Sequence, residues 1–199
     1  MDSQTAVVPI HHRQDGELVR RVIQQDQSLV QVLKFDPATG DMLVNPMLQA
    51  IFRNPNETQH FAGRLARLFH DKEVDMVVGL GRSATLAHCV AGVIQSFYAD
   101  PPRQVTSLSL EYERPWESAG LKFSDGEEDL RGKRVLLVEP VLTLGRWEDA
   151  QRCIDFIENE VNAAATVFAV GVIFQQGNIP LAPKNVARIE SLMQFSSRH

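Results

Sequence analysis

The chain has 199 residues, of which 44% are hydrophobic and 23% are charged, values typical of one globular domain. A formal net charge of −5 does not provide the basic surface that nucleic acids and acidic membranes attract. No apolar run approaches the roughly 18 residues that span a membrane, and the first residues lack the pattern of a signal peptide. Cys89 and Cys153 each fall in an apolar helical pattern, which is typical of buried, reduced thiols. We therefore expect a cytoplasmic protein with neither a nucleic acid nor a membrane as its partner.

The N-terminal quarter of the chain has a mixed pattern. A helix is predicted around GELVRRVIQQDQSLVQVL, and the Asp, Gly and Pro residues of KFDPATGDMLVNP then predict turns with one short strand. The pattern strengthens from Asn56, a predicted N-cap. The segment NETQHFAGRLARLFHDK predicts a helix because its apolar residues recur at helical spacing, namely Phe61, Leu65, Leu68 and Phe69.

Short apolar runs alternate with helical patterns over the rest of the chain. The runs VDMVVGL, SLSLEYE, RVLLVEPVL and ATVFAVGVIF predict strands, whereas SATLAHCVAGVIQSFYA and RWEDAQRCIDFIENEV predict helices. This alternation is typical of an α/β fold with a mainly parallel sheet flanked by helices. The histidines have no zinc-ligand spacing and no nucleophile elbow is present, so neither a metal site nor a serine hydrolase is predicted.

A polar segment that contains glycine, residues 112–133, separates two of the predicted strands. Connections of this length without regular structure are uncommon in compact domains, and they are usually lids, binding loops or disordered segments. The alternative is a hairpin on the surface. The sequence leaves both interpretations open.

Two strand-to-helix junctions are candidate sites, because ligands of open parallel sheets bind outside the carboxyl ends of the strands. In the first junction, GLGRSA, Gly79 and Gly81 permit a tight or left-handed turn, and successive amides there can form an anion nest. Arg82 adds donors suited to a phosphate, and Ser83 is a good N-cap. The alternative is a tight turn that leads into a capped helix, with a solvated arginine.

The second junction, EPVLTLGRW, contains features that favour an anion site and features that oppose one. Arg146 begins the predicted helix, where a cation is unfavourable unless an anion lies beside it. The alternative for Arg146 is a surface cation. Core packing explains the tryptophan that follows, because it begins a single apolar helix face formed by Trp147, Ala150, Ile154, Ile157 and Val161.

The order of these segments is similar to that of a known family. VDMVVGLGRSATLAHCVA, a long polar loop and GKRVLLVEPVLTLGRWEDA together resemble the type I phosphoribosyltransferases, with the orotate phosphoribosyltransferase branch nearest. LVNPMLQAIFRNPNETQHFAGRLARLF and VIFQQGNIPLAPKNVARIESLMQF look like the two ends of that branch, so the resemblance covers roughly residues 34–195.

The resemblance implies one domain over residues 1–199, with a core of about 56–177 built on a five-stranded, mainly parallel sheet. A small hood would come from the two chain ends, about 1–50 and 178–199. It also implies that the protein binds phosphoribosyl pyrophosphate (PRPP) with magnesium and works as a homodimer.

The ribose-phosphate motif of the family has two adjacent acids, two apolar residues, Thr, Thr or Ala, Gly, and then Gly, Ser or Thr. Glu139 matches the first acid, Thr143 the first Thr and Gly145 the Gly. Pro140 replaces the second acid, and Leu144 replaces the second Thr or Ala. The lost acid removes an acceptor for a ribose hydroxyl that is worth about 1.5–3 kcal/mol.

Two further replacements follow in the motif, because Arg146 and Trp147 stand where the family has Gly and Ser or Thr. The guanidinium of Arg146 offsets part of the loss, because it attracts phosphate. The 112–133 segment occupies the place of the family's catalytic loop, but it lacks the Lys-x-x-Gly run of orotate enzymes.

From this resemblance we predict that Glu139 is catalytic, together with Arg114 and Lys122 of the 112–133 segment. Eight residues are predicted to bind the ligand, and they are Gly79, Gly81, Arg82, Ser83, Thr143, Leu144, Gly145 and Arg146.

Two functions follow. The first is transfer of ribose 5-phosphate from PRPP to an orotate-like base, with Mg²⁺ bound only when PRPP is bound. The alternative is a non-catalytic protein that has lost this chemistry and that senses a nucleotide or phosphate, or acts as a scaffold.

Overall fold

The structure is a computed structural model, and it describes residues 6–8, 30–35, 42–46, 52, 55–98, 104–113, 120–124, 129–142, 144–160, 165–176 and 189–195. These residues form a small antiparallel sheet and a large, mainly parallel sheet. The strands of the small sheet are β1 (Ala6–Val8), β2 (Val30–Phe35) and β3 (Met42–Pro46), in the order β1-β3-β2.

Strand β2 corrects the helix predicted around GELVRRVIQQDQSLVQVL. The end of that segment pairs with β3 as a strand, and its earlier residues lie outside the described residues. The register shifts between Val32 and Lys34. In VQVLKF the alternation of apolar and polar residues is interrupted, and the bulge lies at the interruption. The interruption is the reason that the sequence did not predict a strand here.

The large sheet has six strands in the order β6-β5-β4-β7-β8-β9. The sheet is mainly parallel, as predicted, but it has six strands rather than five, because β6 is added as an antiparallel edge strand. Their bounds are β4 (Met76–Leu80), β5 (Thr106–Tyr112), β6 (Leu121–Phe123), β7 (Arg134–Leu142), β8 (Thr166–Gln176) and β9 (Ile189–Phe195). The predicted α/β fold is therefore confirmed.

Helices cover both faces of the large sheet. They are α1 (Pro55–Arg67), α2 (Ser83–Phe97) and α3 (Leu144–Asp155), and a π-helical turn (Phe156–Glu160) continues α3. One face packs against α1 and α2 in an apolar layer that includes Phe61, Leu65, Leu86, Leu136 and Val138. The other face packs against α3 in a layer that includes Leu137, Trp147, Ile154, Ile157 and Val167. Within β7, residues 135–138 alternate between the two layers, so this strand is buried on both sides.

Two local expectations differ from the structure, and one open alternative is resolved by it. Helix α1 begins at Pro55, so Asn56 lies inside the helix rather than at its N-cap, as the fixed φ of a proline favours at a first turn. Strand β6 pairs with β5, so the strand residues that the structure describes in the 112–133 segment form a hairpin, which was one of the two interpretations. Strand β9 is a parallel strand of the large sheet, although it falls in the range 178–199 that was assigned to the hood.

Both cysteines are free thiols; Cys153 is buried and Cys89 is half-buried. Within the part of the chain that the structure describes, no helix has the length and the apolar character needed to cross a membrane.

Candidate functional site

The two candidate junctions lie side by side at the carboxyl edge of the large sheet. Strands β4 and β7 are parallel neighbours, so both junctions leave the sheet at the same edge. After β4, two residues lead into α2, and after β7 a single residue, Thr143, precedes α3. Two helices therefore begin next to each other, with their N-terminal amides at the edge where ligands of parallel sheets bind.

Close approach between β4 and α2 explains the glycine at position 79. A Cβ added to Gly79 would meet the backbone carbonyl of Ser83 and would lie 2.7 Å from the backbone nitrogen of Ala84. Gly81 has a φ of +55°, in the left-handed region that glycine adopts without strain. Its backbone N–H donates to the carbonyl oxygen of Leu110 at 2.7 Å, which ties the turn to β5.

Ser83 does not cap α2, which corrects the prediction. Arg82 occupies the N-cap position with helical backbone angles and makes no capping hydrogen bond through its side chain, which is exposed. Ser83 is the first residue of the helix, and its buried hydroxyl donates to Oε2 of Glu139 at 3.0 Å. A buried hydroxyl needs a partner, and a carboxyl oxygen is a stronger acceptor than the alternatives in a first helical turn. Ser83 therefore joins the two junctions to each other.

Glu139 is the buried acid of the site, with 6% of its surface exposed. Burial raises the pKa of this carboxyl from 4.5 to about 7, while the hydrogen bond from Ser83 and the charge of Arg146 act in the opposite direction. The nearby charge of Asp149 raises the pKa further. Near neutral pH, Glu139 therefore exists in both forms, and it can accept a hydrogen bond as a carboxylate or donate one as an acid.

Arg146 lies in the first turn of α3 and faces Glu139. Its Nη1 is 3.9 Å from Oε2 of Glu139, and its side chain is 45% exposed. A cation at the N-terminal end of a helix is repelled by the helix dipole, and the raised pKa of Glu139 leaves that carboxyl only partly charged. Because the guanidinium is partly exposed and lies in the first turn of α3, close to the N-terminal amides of that helix, this region favours binding of an anion.

The predicted apolar face of α3 is confirmed. Trp147, Ala150, Ile154 and Ile157 are all buried in the layer between α3 and the sheet, and Val161 lies outside the described residues. Trp147 is therefore a core residue, which holds α3 against the sheet.

The remaining predicted residues are distributed as follows. Leu144 and Gly145 are the first two residues of α3, whereas Thr143 and Arg114 lie outside the described residues. Lys122 is an exposed residue of the edge strand β6, and its Nζ lies 3.2 Å from Oε1 of Glu111. Strands β5 and β4 separate β6 from β7, so the structure brings Ser83, Glu139 and Arg146 together but leaves Lys122 at the sheet edge. The roles assigned to these residues stay predictions.

One contact at the carboxyl ends of the strands has no signature in the sequence. The hydroxyl of Tyr112, the last residue of β5, donates to Oδ1 of Asp149 in α3 at 2.6 Å. Burial, followed by this hydrogen bond, raises the pKa of Tyr112 above its usual value, so the phenol keeps its proton. The two residues are 37 positions apart and follow no spacing rule, so only the fold brings them together.

The arrangement combines two helix N-termini, exposed arginines and one buried carboxyl. Helix N-termini and guanidinium groups bind phosphate oxygens, and a buried carboxyl binds hydroxyl groups. Among the residues that the structure describes, no group of three His, Cys, Asp or Glu side chains could hold a metal ion. The edge is thus suited to a ligand that carries both phosphate and hydroxyl groups.

Comparison with known proteins places the chain among phosphoribosyltransferases. No protein-family model matches it. It is 32% identical to the adenine phosphoribosyltransferase of Mycobacterium avium (strain 104) over 152 residues, which cover 71% of this chain and 80% of the relative. It is 33% identical to the orotate phosphoribosyltransferase of Caldanaerobacter subterraneus subsp. tengcongensis over 95 residues, which cover 48% of this chain and 44% of that relative.

Two solved structures with the same fold are also an adenine and an orotate phosphoribosyltransferase. The adenine phosphoribosyltransferase of Giardia lamblia, complexed with 9-deazaadenine, is similar with a TM-score of 0.59 and 16% identity, over 89% of this chain and 98% of that one. The orotate phosphoribosyltransferase of Mycobacterium tuberculosis H37Rv, in complex with PRPP, gives a TM-score of 0.54 and 18% identity, over 90% and 95%. The solved structures support the fold, and the match to the Mycobacterium avium enzyme extends over most of both chains. The chain belongs to the type I phosphoribosyltransferase family.

Proposed function

We propose that this protein binds PRPP at the carboxyl edge of the large sheet and transfers its ribose 5-phosphate to a nitrogen of an orotate-like base. The observation that carries this proposal is the convergence of Ser83, Glu139 and Arg146 between the N-termini of α2 and α3. Family membership supports the reaction class, and the similarity to an orotate phosphoribosyltransferase supports an orotate-like acceptor.

Each anionic part of PRPP has a matching element. The first turn of α3, with Arg146, would bind the 5-phosphate, because N-terminal helix amides and guanidinium groups both bind phosphate oxygens. The turn Gly81–Ser83, with the exposed side chain of Arg82, would bind the pyrophosphate. Glu139 lies between these two elements and would bind a ribose hydroxyl. In the transfer, a base nitrogen bonds to C1 of the ribose, and pyrophosphate leaves with the electron pair of the broken C–O bond.

Magnesium would be bound mainly by the ligand. The described part of the chain provides one buried carboxyl at this edge and no cluster of three metal-binding side chains. Mg²⁺ commonly binds through substrate phosphates and water with few protein ligands, so these residues fit an ion that arrives with PRPP. The ion would supply positive charge to the leaving pyrophosphate.

A second candidate function is the recognition of a nucleotide or phosphate without transfer. Two observations favour it: Pro140 stands where the family has its second acid, and the remaining acid, Glu139, has a pKa of about 7. One carboxyl that is partly protonated at neutral pH binds ribose hydroxyls less tightly than two ionised ones.

A binding and turnover experiment distinguishes these functions. Purified protein is titrated with PRPP and Mg²⁺ in a calorimeter, and the mixture is then incubated separately with orotate, uracil and adenine. Saturable heat together with loss of one base and release of pyrophosphate would support the transferase. Saturable heat without consumption of any base would support recognition alone, and the absence of heat at millimolar PRPP would contradict the transferase.

Arg146→Ala tests the 5-phosphate element directly. We expect the affinity for PRPP to decrease by about tenfold, because a charge-assisted contact to phosphate is lost. Arg152→Ala is the matched control, since Arg152 is an exposed arginine in the last turn of the same helix. Equal affinities of the two variants would refute the assignment of Arg146.

A further inference from the structure

The carboxyl end of β5 contacts both anion-binding elements of the proposed site. The carbonyl oxygen of Leu110 accepts the backbone N–H of Gly81 at 2.7 Å, which holds the turn between β4 and α2. Two residues further along the strand, the hydroxyl of Tyr112 donates to Oδ1 of Asp149 at 2.6 Å, which holds α3. One short piece of strand therefore connects the turn that would bind pyrophosphate to the helix that would bind the 5-phosphate.

The strand is a rigid spacer. Leu110 and Tyr112 are separated by roughly 6.6 Å along an extended backbone. β5 pairs with β4 on one side and with β6 on the other, and Tyr112 itself is opposite Leu121 in the β5–β6 pairing. Leu110 is paired with both neighbouring strands, and Tyr112 is paired with β6. Because both positions lie in paired strand, the two contacts fix where the turn and the helix lie relative to each other.

The packing of α3 does not require the Tyr112 hydroxyl. The apolar face of α3 is already buried against the sheet through Trp147, Ala150 and Ile154. That packing fixes the face that α3 presents to the sheet, but apolar contacts are non-directional and permit small shifts along the helix axis. A short hydrogen bond between a phenol and a carboxyl oxygen adds the directional constraint.

We propose that Tyr112 is a positioning residue that sets the spacing between the two anion-binding elements and so favours a ligand with phosphate groups at both ends of a ribose. The inference rests on the proposed function, because it takes the Gly81–Ser83 turn and the N-terminus of α3 as the two binding elements. Tyr112 and Asp149 would influence which ligand binds through the position of α3, without contacting the ligand.

Binding of three ligands tests the spacing. PRPP contacts both elements at once, whereas ribose 5-phosphate and pyrophosphate each contact one. In Tyr112→Phe, which removes only the hydroxyl, we expect the affinity for PRPP to decrease by about tenfold, because the spacing is no longer fixed. We expect the affinities for ribose 5-phosphate and for pyrophosphate to change by less than about twofold, because each ligand still finds its own element intact.

Three further variants separate positioning from general stability. Tyr98→Phe is the matched control: it also removes a phenol oxygen from a hydrogen bond, here the acceptor for the backbone N–H of Val74, which precedes β4 at the opposite edge of the sheet. It should leave the ratio of the PRPP and ribose 5-phosphate affinities unchanged. Asp149→Asn keeps an oxygen that accepts from Tyr112 and should preserve the ratio, whereas Asp149→Ala should lower it as Tyr112→Phe does.

The outcomes separate this inference from the function on which it rests. If the wild-type protein binds PRPP but Tyr112→Phe weakens all three ligands equally, or weakens none, the inference is overturned and the proposed function stands. If the wild-type protein binds none of the three, both are overturned. A selective loss of PRPP affinity in Tyr112→Phe and Asp149→Ala, but not in Tyr98→Phe or Asp149→Asn, supports the inference.

Discussion

The two ends of strand β7 carry charged residues in opposite circumstances. At its start, the Arg134 backbone N–H donates to Asp75 at 2.9 Å, and its guanidinium donates to the carbonyl oxygens of Lys72 and Glu73 at about 3.2 Å. The same guanidinium lies 4.8 Å from the ring centre of Phe168. Near the other end of the strand, Glu139 is buried with one hydrogen bond and one arginine at 3.9 Å.

This difference shows where the fold uses charge for stability and where it does not. The Arg134 donors bind backbone oxygens of the preceding segment, including that of Glu73, which has a φ of +50°. That end therefore holds a turn in which Glu73 has a strained backbone conformation, and its hydrogen bonds offset the strain. At the other end, burial raises the pKa of Glu139 to about 7, so an ionised carboxylate there lowers the stability of the fold. A buried acid that destabilises the folded state is typical of a site shaped by binding rather than by folding.

The largest expected effect is on the pH dependence of stability, and it comes from Glu139. Its folded pKa of about 7 lies above the ordinary 4.5, so the folded state binds this proton more tightly than the unfolded chain does. The resulting stabilisation is fully present below about pH 4.5 and is lost as the pH rises through 7. The difference between the two pKa values corresponds to about 3 kcal/mol of unfolding free energy. Relative to Glu139→Gln, the wild-type protein should therefore lose about 3 kcal/mol of unfolding free energy between the two ends of this pH range.

Urea denaturation of both proteins over a series of pH values measures this difference. The comparison with Glu139→Gln removes the pH dependence of all other groups, since these are shared. Parallel pH profiles would show that Glu139 has an ordinary pKa in the folded state, and the contrast between the two ends of β7 would then disappear.

Gly79→Ala is expected to have the next largest effect. The added methyl group would meet backbone atoms of Ser83 and Ala84, which cannot rotate away, so the start of α2 must move. We expect a loss of about 2 kcal/mol of stability, as in other overpacked sites, together with weaker binding of pyrophosphate. Gly92→Ala is the matched control on the same helix, because no atom lies within 4 Å of its added methyl group. It should stabilise the protein by about 0.5–1 kcal/mol, and a Gly79→Ala variant as stable as Gly92→Ala would contradict the close approach.

Much of the fold could be predicted from the sequence because its strands are buried on both faces. Runs such as VDMVVGL and RVLLVEPVL have the continuous apolar character that a central parallel strand requires, and helical patterns separate them. Strand β2 was missed, since its bulge between Val32 and Lys34 breaks the alternation that defines a strand. Strand β9 was placed in the hood because IESLMQF is a short mixed segment, and its position beside β8 depends on pairing over a long range.

The candidate site could be predicted only in part. The rule that ligands bind at the carboxyl ends of parallel strands was enough to select both junctions. The partner of Ser83 was not predictable, because a serine before a helix has a local use as a cap, whereas its actual acceptor, Glu139, lies 56 residues away. The hydrogen bond between Tyr112 and Asp149 was missed for the same reason, since only tertiary structure joins β5 to α3.

The smallest expected effect on the candidate site comes from Arg134→Ala, which removes the side-chain contacts at the start of β7. Two backbone oxygens lose their donors, so we expect a loss of about 1–2 kcal/mol of stability in urea denaturation. Arg131→Ala is the control, because Arg131 is an exposed arginine whose partner Asp129 is also exposed, and the unfolding midpoint should not change. Arg134→Ala should bind PRPP with the wild-type affinity, because Arg134 lies at the start of β7, at the opposite edge of the sheet from the candidate site. A change in PRPP affinity of more than about threefold in this variant would show that the two ends of β7 are coupled. The start of the strand would then contribute to binding as well as to stability.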